Sequence, residues 1–514
     1  MYPKEENSAY IVLGSMKNNS SKHGITRFFC IFAAENNSHS TMITGRKSEK
    51  NELLRAYESE YSEFVSVTGR RRIGKTFLIR ETFGYKFAFQ HSGLANQKTH
   101  EQLKEFRLSL IKNGLKKCRV PTDWFDAFFL LSELLDKKRG KKKVVFIDEL
   151  PWMDAPRSNF VSALEHFWNG YASARKDVLL IICGSSTSWI INNVFRNHGG
   201  LHNRVTYRIH LHPFTLNECE QYAQSRHLRM NRFELLECYM VMGGVPFYWS
   251  LLEQGRSVAQ NIDNLFFSPK GRLHFEYREL YDSLFKNPEP YLNVVSTLGT
   301  KRMGMTREEL IKEGNIINNG QLTRVLEDLE HCGFIRKYNY QGIKRSNAIF
   351  QLIDNYTLFY YKFLHESEGT DEAFWSKNAN TPIRNTWEGL AFERVCFEHV
   401  QQIKQALGIA GVSTYLYSWR VENDPIYGAG AQVDMVIDRS DQVTNLCEMK
   451  FSTKEYAIEK DDDDDLRHKL GRFVQTQKTH KSVHQTLITP FGVKKNMYQF
   501  SVQNVITAED LFKE

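Results

Sequence analysis

The stretch from residue 69 to residue 76 has residue types and a spacing that suit the binding of phosphate groups. It lies between an apolar run at 64–67 and a segment of helical character at 77–81, and it consists of Gly69, Arg70, Arg71, Arg72, Ile73, Gly74, Lys75 and Thr76. The two glycines let successive backbone N–H groups point inward, and the N-terminus of the next helix adds partial positive charge. Lys75 would reach the β- and γ-phosphates of ATP, and the Thr76 hydroxyl would hold Mg²⁺. The spacing therefore predicts a P-loop that binds the phosphates of the nucleotide.

Two carboxylates follow a second apolar run. Residues 144–147 suit a buried parallel strand, and Asp148 and Glu149 stand at its carboxyl end. Asp148 would hold Mg²⁺ through water, and Glu149 would orient and polarise the water that attacks the γ-phosphate. Together with the P-loop, this pair predicts hydrolysis of ATP as well as its binding.

The composition indicates a globular protein of several domains. A chain of 514 residues is too long for one hydrophobic core, so we expect roughly three or four domains. A net charge of +8 favours a polyanionic partner only mildly. The eight cysteines include no CxxC pair, which speaks against a zinc site or a disulfide framework and suits a reducing cytoplasm. The apolar runs are too short for a membrane helix, so no membrane partner is expected.

Residues 1–42 differ from the rest of the chain. They are rich in Asn, Ser and Lys, and their one apolar run, at 28–34, is short and far from the start. We expect residues 1–42 to be a disordered extension, and Met42 is a candidate for the true initiator.

The motifs resemble those of the archaeal-type ATPases of the AAA+/STAND branch. The resemblance lies in the GRRRIGKT loop, the VVFIDE strand and a Gly-Arg-x-x-Glu entry at 45–49. It implies that Ser185, at the end of the apolar run 179–183, senses the γ-phosphate, and that Arg204 serves as an arginine finger. It also implies that Pro246 packs on the adenine. A plain turn, a surface cation and a simple helix break are the alternatives for these three residues. A finger acting on a neighbour's nucleotide would require a homo-oligomer or a closed state.

The pattern along the chain predicts an ATPase core at 43–215, a helical lid at 216–285, a winged helix at 286–352 and a helical linker at 353–385. In a DNA-binding winged helix, the third helix, here at 320–332, would face the major groove. The outward-facing residues of this helix include Gln321 and Arg324. They also include Glu327, Asp328 and Glu330, whose carboxylates would repel phosphates. We therefore favour a role in packing the lid, or contact with DNA through basic residues of the wing.

Residues 386–514 contain a second set of residues suited to chemistry. Glu393 lies on an amphipathic helix, Asp434 lies in an alternating strand, and Glu448 and Lys450 share one face of the next strand. Carboxylates from paired strands would bind Mg²⁺ with help from the helix, and the lysine would position the attacking water. The set resembles the PD-(D/E)xK, restriction-endonuclease-like fold, although no proline precedes Asp434. The alternative is a strand with a surface ion pair, and the acidic run 461–465 is expected to be a solvated loop.

These features predict an α/β protein in which a P-loop NTPase with a parallel sheet is followed by a helical lid, a winged helix and a restriction-endonuclease-like domain. The first functional hypothesis is an ATPase whose nucleotide state controls a metal-dependent nuclease-like domain acting on nucleic acid, with DNA favoured. The second is a STAND-like ATP switch whose C-terminal domain binds DNA or protein without cleaving it. The two hypotheses assign different roles to Asp434, Glu448 and Lys450, because these residues are catalytic only in the first.

Overall fold

A sheet of five parallel strands carries the predicted P-loop. The computed structural model describes residues 43–196, 199–301, 303–338, 348–365, 371–425 and 428–514, so the extension predicted at 1–42 and the proposed start at Met42 lie outside the described residues. The strand order is β2-β3-β4-β1-β5. The strands are β1 (Glu63–Thr68), β2 (Phe89–Ser92), β3 (Lys143–Asp148), β4 (Val178–Cys183) and β5 (Tyr207–His210). The strands predicted from the apolar runs at 64–67, 144–147 and 179–183 are thereby confirmed.

Helices cover both faces of this sheet, because every residue of β1, β3 and β4 is buried and alternate side chains point to opposite faces. Phe64 and Leu180 pack in one core cluster, whereas Val65 and Ile181 pack in another. The helices are Lys47–Glu58, Lys75–Thr82, Thr99–Lys112, Trp124–Lys137, Phe160–Phe167 and Thr187–Ile190, with a 3₁₀ turn at Leu150–Trp152 and π turns at Trp168–Ala172 and Ile191–Phe195.

A group of short helices follows the sheet. Three of them begin with capping boxes, in which the side chains of Thr215, Asn231 and Ser257 accept from the backbone three residues later. The helices are Leu216–Ser225, Arg232–Met242, Pro246–Trp249, Val258–Ile262 and Glu276–Leu284, with a π turn at Asp263–Phe267. Their apolar side chains join a core cluster that extends to the C-terminal residues.

The described residues within 286–352 form three helices and a small antiparallel sheet. The helices are Glu289–Gly299, Arg307–Glu313 and Gly320–His331, and the strands are β6 (Met305–Thr306), β7 (Ile335–Tyr338) and β8 (Ile349–Leu352), in the order β6-β8-β7. The second helix begins with a capping box formed by Thr306 and Glu309. The third helix thus lies where the sequence predicts it, and the helix Asn355–Phe363 follows with Tyr356 and Phe359 fully buried.

The C-terminal residues form a mixed sheet in the order β13-β12-β11-β10-β9. Its strands are β9 (Thr414–Val421), β10 (Ala431–Arg439), β11 (Val443–Met449), β12 (Ser482–Ile488) and β13 (Asn504–Ile506). The accompanying helices are Phe374–Lys377, Pro382–Glu398, Val400–Ala406, Lys460–Gln477 and Ala508–Leu511, with a 3₁₀ turn at Gln499–Ser501. Strands β9, β10 and β11 pair antiparallel, whereas β11, β12 and β13 pair parallel.

The prediction of a solvated loop at 461–465 is wrong, because these residues lie in the helix Lys460–Gln477. Asp462 closes a capping box by accepting from the Glu459 backbone N–H at 3.0 Å, and Asp463 is buried. Carboxylates at a helix N-terminus are stabilised by the exposed N–H groups and by the helix dipole, which offsets their mutual repulsion.

No helix in the described part of the chain is both long enough and apolar enough to span a membrane. The seven cysteines within that part are all buried and free.

Candidate functional site

The loop after β1 has backbone geometry that only glycine supports at its first position. Gly69 has φ +131°, and a Cβ placed there would come within 2.4 Å of the Leu211 carbonyl oxygen. Gly74 has φ +87° with open space around it. The Gly69 N–H donates to the Thr187 hydroxyl at 3.3 Å. Glycine at residue 69 therefore allows both the turn and the close approach of the neighbouring chain.

Lys75 and Thr76 begin the helix Lys75–Thr82, and both side chains already have polar partners. Lys75 Nζ donates to the carbonyl oxygens of Gly69 and Arg70, each at 2.8 Å. The Thr76 hydroxyl donates to Asp148 Oδ2 at 2.8 Å. The structure thus brings together the predicted phosphate-binding cation and the two residues predicted to hold Mg²⁺. Their donor set, a hydroxyl and a carboxylate beside an inward-facing lysine, fits a magnesium nucleotide.

Glu149 lies immediately after β3 and contacts the predicted sensor. Its backbone N–H donates to Asp148 Oδ1 at 2.9 Å, and its carboxylate accepts from the Ser185 hydroxyl at 3.0 Å. Burial raises the pKa of the Glu149 carboxyl above its ordinary value, and the neighbouring Asp148 carboxylate raises it further. A carboxyl with a raised pKa beside the phosphate-binding loop is placed to act as a general base once it is deprotonated.

The first arginine of the loop is paired with a residue far along the chain. Arg70 NH1 forms an ion pair with Asp354 Oδ1, and both side chains are 4% exposed. The Arg70 guanidinium also lies over the Phe334 ring, 4.7 Å from its centroid. The other carboxylate oxygen of Asp354 caps the helix Asn355–Phe363, because it accepts from the Thr357 backbone N–H at 3.0 Å and from the Thr357 hydroxyl at 2.6 Å.

The next two arginines contact the helix Glu276–Leu284. Arg71 NH1 donates to the Ser283 carbonyl oxygen at 3.4 Å, and Arg72 NH1 pairs with Glu276 Oε2 at 2.7 Å. The Arg72 guanidinium lies over the Phe247 ring at 4.3 Å, and the Phe247 backbone N–H donates to the Arg72 carbonyl at 3.4 Å. Each arginine of the loop therefore contacts a segment that follows the five-stranded sheet.

Pro246 and Arg204 occupy different surroundings. Pro246 is the first residue of the helix Pro246–Trp249, directly before Phe247, so it lies beside the loop. Arg204 is exposed, and its Nε donates to the Gly200 carbonyl at 3.4 Å. Within the residues that the structure describes, no hydrogen bond or ion pair joins Arg204 to Lys75 or Glu149.

The buried Ile73 packs in the core cluster under the loop.

In the C-terminal sheet Glu448 is held by two lysines. Lys450 Nζ lies 3.2 Å from Glu448 Oε1, so these two side chains share a face as predicted. Lys469, from the helix Lys460–Gln477, donates to Glu448 Oε2 at 2.9 Å and also pairs with Asp465 at 2.8 Å. Burial lowers the pKa of Lys469, but the Glu448 and Asp465 carboxylates outweigh it, so the pKa is raised.

Asp434 has a different partner, since its Oδ1 accepts from Gln432 Nε2 at 2.6 Å. Strand β10 pairs with β11 as predicted, but its pairing with β9 shifts between Val433 and Val436. Such a bulge interrupts the alternation of side chains at Asp434.

The described residues contain no group of three or more His, Cys, Asp or Glu side chains suited to a metal ion. Metal binding by Glu393, Asp434 and Glu448 therefore stays a prediction. Within this part of the chain, Glu448 contacts two ammonium groups, and Asp434 accepts from Gln432 of its own strand.

Sequence reasoning missed three residues of these sites. Asp354 carries one signal, because it stands directly before an apolar helix as an N-cap would. Thr187 and Lys469 carry no signal, since only the folded chain brings them to Gly69 and Glu448.

Comparison with known proteins finds a family match in the first part of the chain. Residues 44–252 match the family described as an ATPase domain predominantly from Archaea. An uncharacterized protein of Methanocaldococcus jannaschii is 22% identical over 382 residues, which cover 71% of this chain and 78% of that protein.

Two solved structures are similar at low identity. The Walker-type ATPase of Pyrococcus abyssi has a TM-score of 0.43 and 16% identity, covering 62% of this chain and 95% of the other. The ORC2 protein of Aeropyrum pernix has a TM-score of 0.37 and 14% identity, covering 65% and 95%. Residues 44–252 thus match an archaeal ATPase domain family, and the parallel five-stranded sheet and the loop geometry in this segment agree with a P-loop ATPase domain.

Proposed function

We propose that this chain is an ATP-driven switch, in which binding and hydrolysis of ATP at the loop 69–76 change the docking of the segments that follow the ATPase domain. The observation that carries the proposal is the set of contacts made by the loop arginines. Arg70 pairs with Asp354, Arg71 with the Ser283 carbonyl and Arg72 with Glu276. A loop that surrounds phosphates and also anchors three later positions cannot rearrange without affecting them.

The loop would bind ATP through its backbone N–H groups and Lys75. Lys75 Nζ would exchange the Gly69 and Arg70 carbonyls, which it now contacts at 2.8 Å, for β- and γ-phosphate oxygens. Thr76 and Asp148 would hold Mg²⁺, which neutralises phosphate charge and orients the transferring group. Pro246, at the start of a helix beside the loop, would offer a flat apolar surface to the adenine.

Hydrolysis would use Glu149 and Ser185. Deprotonated Glu149 would accept a hydrogen bond from the attacking water and orient it, and the Ser185 hydroxyl, 3.0 Å from the carboxylate, would fix that side chain. Release of phosphate would then let Lys75 return to the Arg70 carbonyl. Because the Arg70 side chain pairs with Asp354, this exchange provides a route from the phosphates to the helix Asn355–Phe363.

For the C-terminal residues we favour binding of DNA or protein without cleavage. Two lysines already neutralise Glu448, so a divalent ion would have to displace at least one of them. The helix Gly320–His331 is turned toward the ATPase domain, where His331 Nδ1 lies 3.2 Å from the Ser188 hydroxyl. In a winged helix this orientation favours packing on the lid, and DNA contact would use the basic residues of the wing.

A metal-dependent nuclease is the second candidate, because Glu448 and Lys450 lie side by side as such a site requires. Its test is degradation of labelled DNA and RNA with Mg²⁺ or Mn²⁺, with and without ATP, by the wild type and by Glu448→Ala. Degradation that disappears in Glu448→Ala would establish the nuclease, whereas equal and negligible degradation by both proteins supports a non-cleaving domain.

The switch itself is tested through nucleotide binding and turnover. Lys75→Ala removes the cation placed at the phosphates and should abolish tight ATP binding, whereas Glu149→Gln should bind ATP and lose turnover. Equal ATP affinity in the wild type and in Lys75→Ala would contradict the site.

A further inference from the structure

A cavity of about 340 Å³ adjoins the side of the nucleotide site where Glu149 and Ser185 lie. Glu149, Ser185 and Trp189 line it from the ATPase domain, and Tyr291 and Arg324 line it from the segment 286–352. Since Glu149 and Ser185 are the residues proposed to handle the attacking water, this cavity lies next to the γ-phosphate position. Positive charge that reaches into it would act on the transferring phosphoryl group.

Arg324 is a cation without a carboxylate partner among the residues that the structure describes. It is exposed and lies on the helix Gly320–His331, where Asp328 is one turn further along. An arginine and an aspartate at this spacing ordinarily pair on a helix surface. Here the Tyr291 hydroxyl donates to Asp328 Oδ2 at 2.5 Å, which leaves the guanidinium available for another anion.

The helix that carries Arg324 is anchored to the ATPase domain. At its end, His331 Nδ1 lies 3.2 Å from the Ser188 hydroxyl. On its inner face Leu322, Val325 and Leu329 are buried in the core cluster. The anchoring fixes Arg324 at the wall of the cavity, so a guanidinium there would lose less conformational entropy on binding phosphate than one on a free segment.

Lys286 also lines the cavity, but it has a carboxylate nearby. Burial raises the pKa of the Asp154 carboxyl, and Lys286 partly opposes this through its charge. Asp154 in turn accepts from Trp189 Nε1 at 3.2 Å. Lys286 therefore already interacts with the Asp154 carboxyl, and Arg324 is the stronger candidate to bind an incoming anion.

We propose that Arg324 is a catalytic residue of the ATPase reaction, which donates hydrogen bonds to γ-phosphoryl oxygens from within the same chain. The inference rests on the nucleotide site proposed above. In phosphoryl transfer, charge on the equatorial oxygens must be stabilised in the transition state, and an arginine there commonly contributes about 10³–10⁵-fold in rate. Its planar fork of N–H donors suits phosphate oxygens. The bond from the γ-phosphorus to the bridging oxygen breaks as water adds, and the water proton passes to Glu149.

The experiment compares turnover, ATP affinity and binding of ADP with aluminium fluoride, which imitates the transition state. The proteins are the full-length wild type, Arg324→Ala, Arg324→Lys and the matched control Lys312→Ala, which removes an exposed cation from the preceding helix. For Arg324→Ala we expect kcat to fall by about 100-fold or more, with ATP affinity changed by less than about threefold. The extra affinity for ADP with aluminium fluoride should disappear, and Arg324→Lys should recover part of both effects.

Two further observations separate this role from others. The effect of Arg324→Ala should not depend on protein concentration, because the arginine acts within its own chain. Equal thermal midpoints for the wild type and Arg324→Ala would exclude loss of folding. A kcat within about twofold of the wild type, or an equal loss in Lys312→Ala, would overturn the inference while leaving the nucleotide site intact. A wild type that binds ATP without turnover would contradict the proposed hydrolysis first, and this role with it.

Discussion

Arg70 and Asp354 form a buried ion pair across 284 positions of the chain. Arg70 belongs to the phosphate-binding loop, and its carbonyl oxygen accepts from Lys75 at 2.8 Å. Asp354 caps the helix Asn355–Phe363 with its second carboxylate oxygen. One residue pair therefore joins the backbone that surrounds the phosphates to the start of a helix in a distant segment. This link is the structural basis for the proposed switch.

Removal of one partner of this pair should destabilise the protein strongly. Asp354→Ala leaves the Arg70 charge buried without its counter-ion and removes the cap from the helix, so we expect a loss of about 3–5 kcal/mol. The measurement is the thermal unfolding midpoint by calorimetry. Asp371→Ala is the matched control, because Asp371 pairs with Lys377 on the surface and its removal should cost less than about 1 kcal/mol. Equal midpoints for the two variants would contradict the structural role of Asp354.

The two glycines of the loop should respond differently to alanine. Gly69→Ala would bring a Cβ to 2.4 Å from the Leu211 carbonyl at φ +131°, so strand β1 and its neighbour would have to move apart. Gly74→Ala would meet open space and only the strain of φ +87°. We expect Gly69→Ala to lower both the unfolding midpoint and ATP affinity clearly more than Gly74→Ala does. An equal loss of stability in both variants would argue against the close approach at Gly69.

The rate of ATP hydrolysis should depend on the protonation of Glu149. Burial and the adjacent Asp148 raise the pKa of its carboxyl above the ordinary value of 4.5, and only the deprotonated form can accept a hydrogen bond from water. At saturating ATP, kcat should therefore rise with pH through a pKa above the ordinary glutamate value. In Glu149→Gln the residual rate should lose this acidic limb, because the amide does not titrate. An acidic limb that remains unchanged in Glu149→Gln would assign it to another group.

A role for Arg204 as a finger requires either a second chain or a closed state of its own chain, and the two differ in their dependence on protein concentration. Arg204 is exposed and contacts the Gly200 carbonyl, with no described contact to Glu149 or Lys75 of its own chain. If it acts on a neighbour's nucleotide, the turnover rate per chain should rise with protein concentration. Arg204→Ala should flatten that rise without changing nucleotide affinity. A rate per chain that stays constant through the range in which the protein assembles would indicate a surface role.

The ATPase sheet and loop could be predicted because their signals are local. The apolar residues Val144–Ile147 require a strand buried on both faces, and Gly69 and Gly74 require a loop with unusual backbone angles. The aromatic helix Asn355–Phe363 is equally local in origin, because Tyr356 and Phe359 are fully buried. In each case the residues themselves contain the physical reason for the structure.

The rest of the fold and of the candidate sites depends on contacts between residues that are distant in the sequence. Nothing near Arg70 in the sequence indicates Asp354, and nothing near Glu448 indicates that Lys469 neutralises it. The bulge in the pairing of β10 with β9 also has no local signal. Repulsion between adjacent carboxylates predicts a loop at 461–465, but the N-terminus of a helix stabilises these side chains and allows them to be helical.

The most direct test of the switch is amide hydrogen exchange in the helix Asn355–Phe363, measured with and without saturating ATP. The wild type is compared with Lys75→Ala as the variant that should not bind ATP. The account predicts that ATP changes the protection of these amides in the wild type, since the loop that holds Asp354 through Arg70 rearranges, and that Lys75→Ala shows no change. Unchanged protection in a wild type saturated with ATP would contradict the switch.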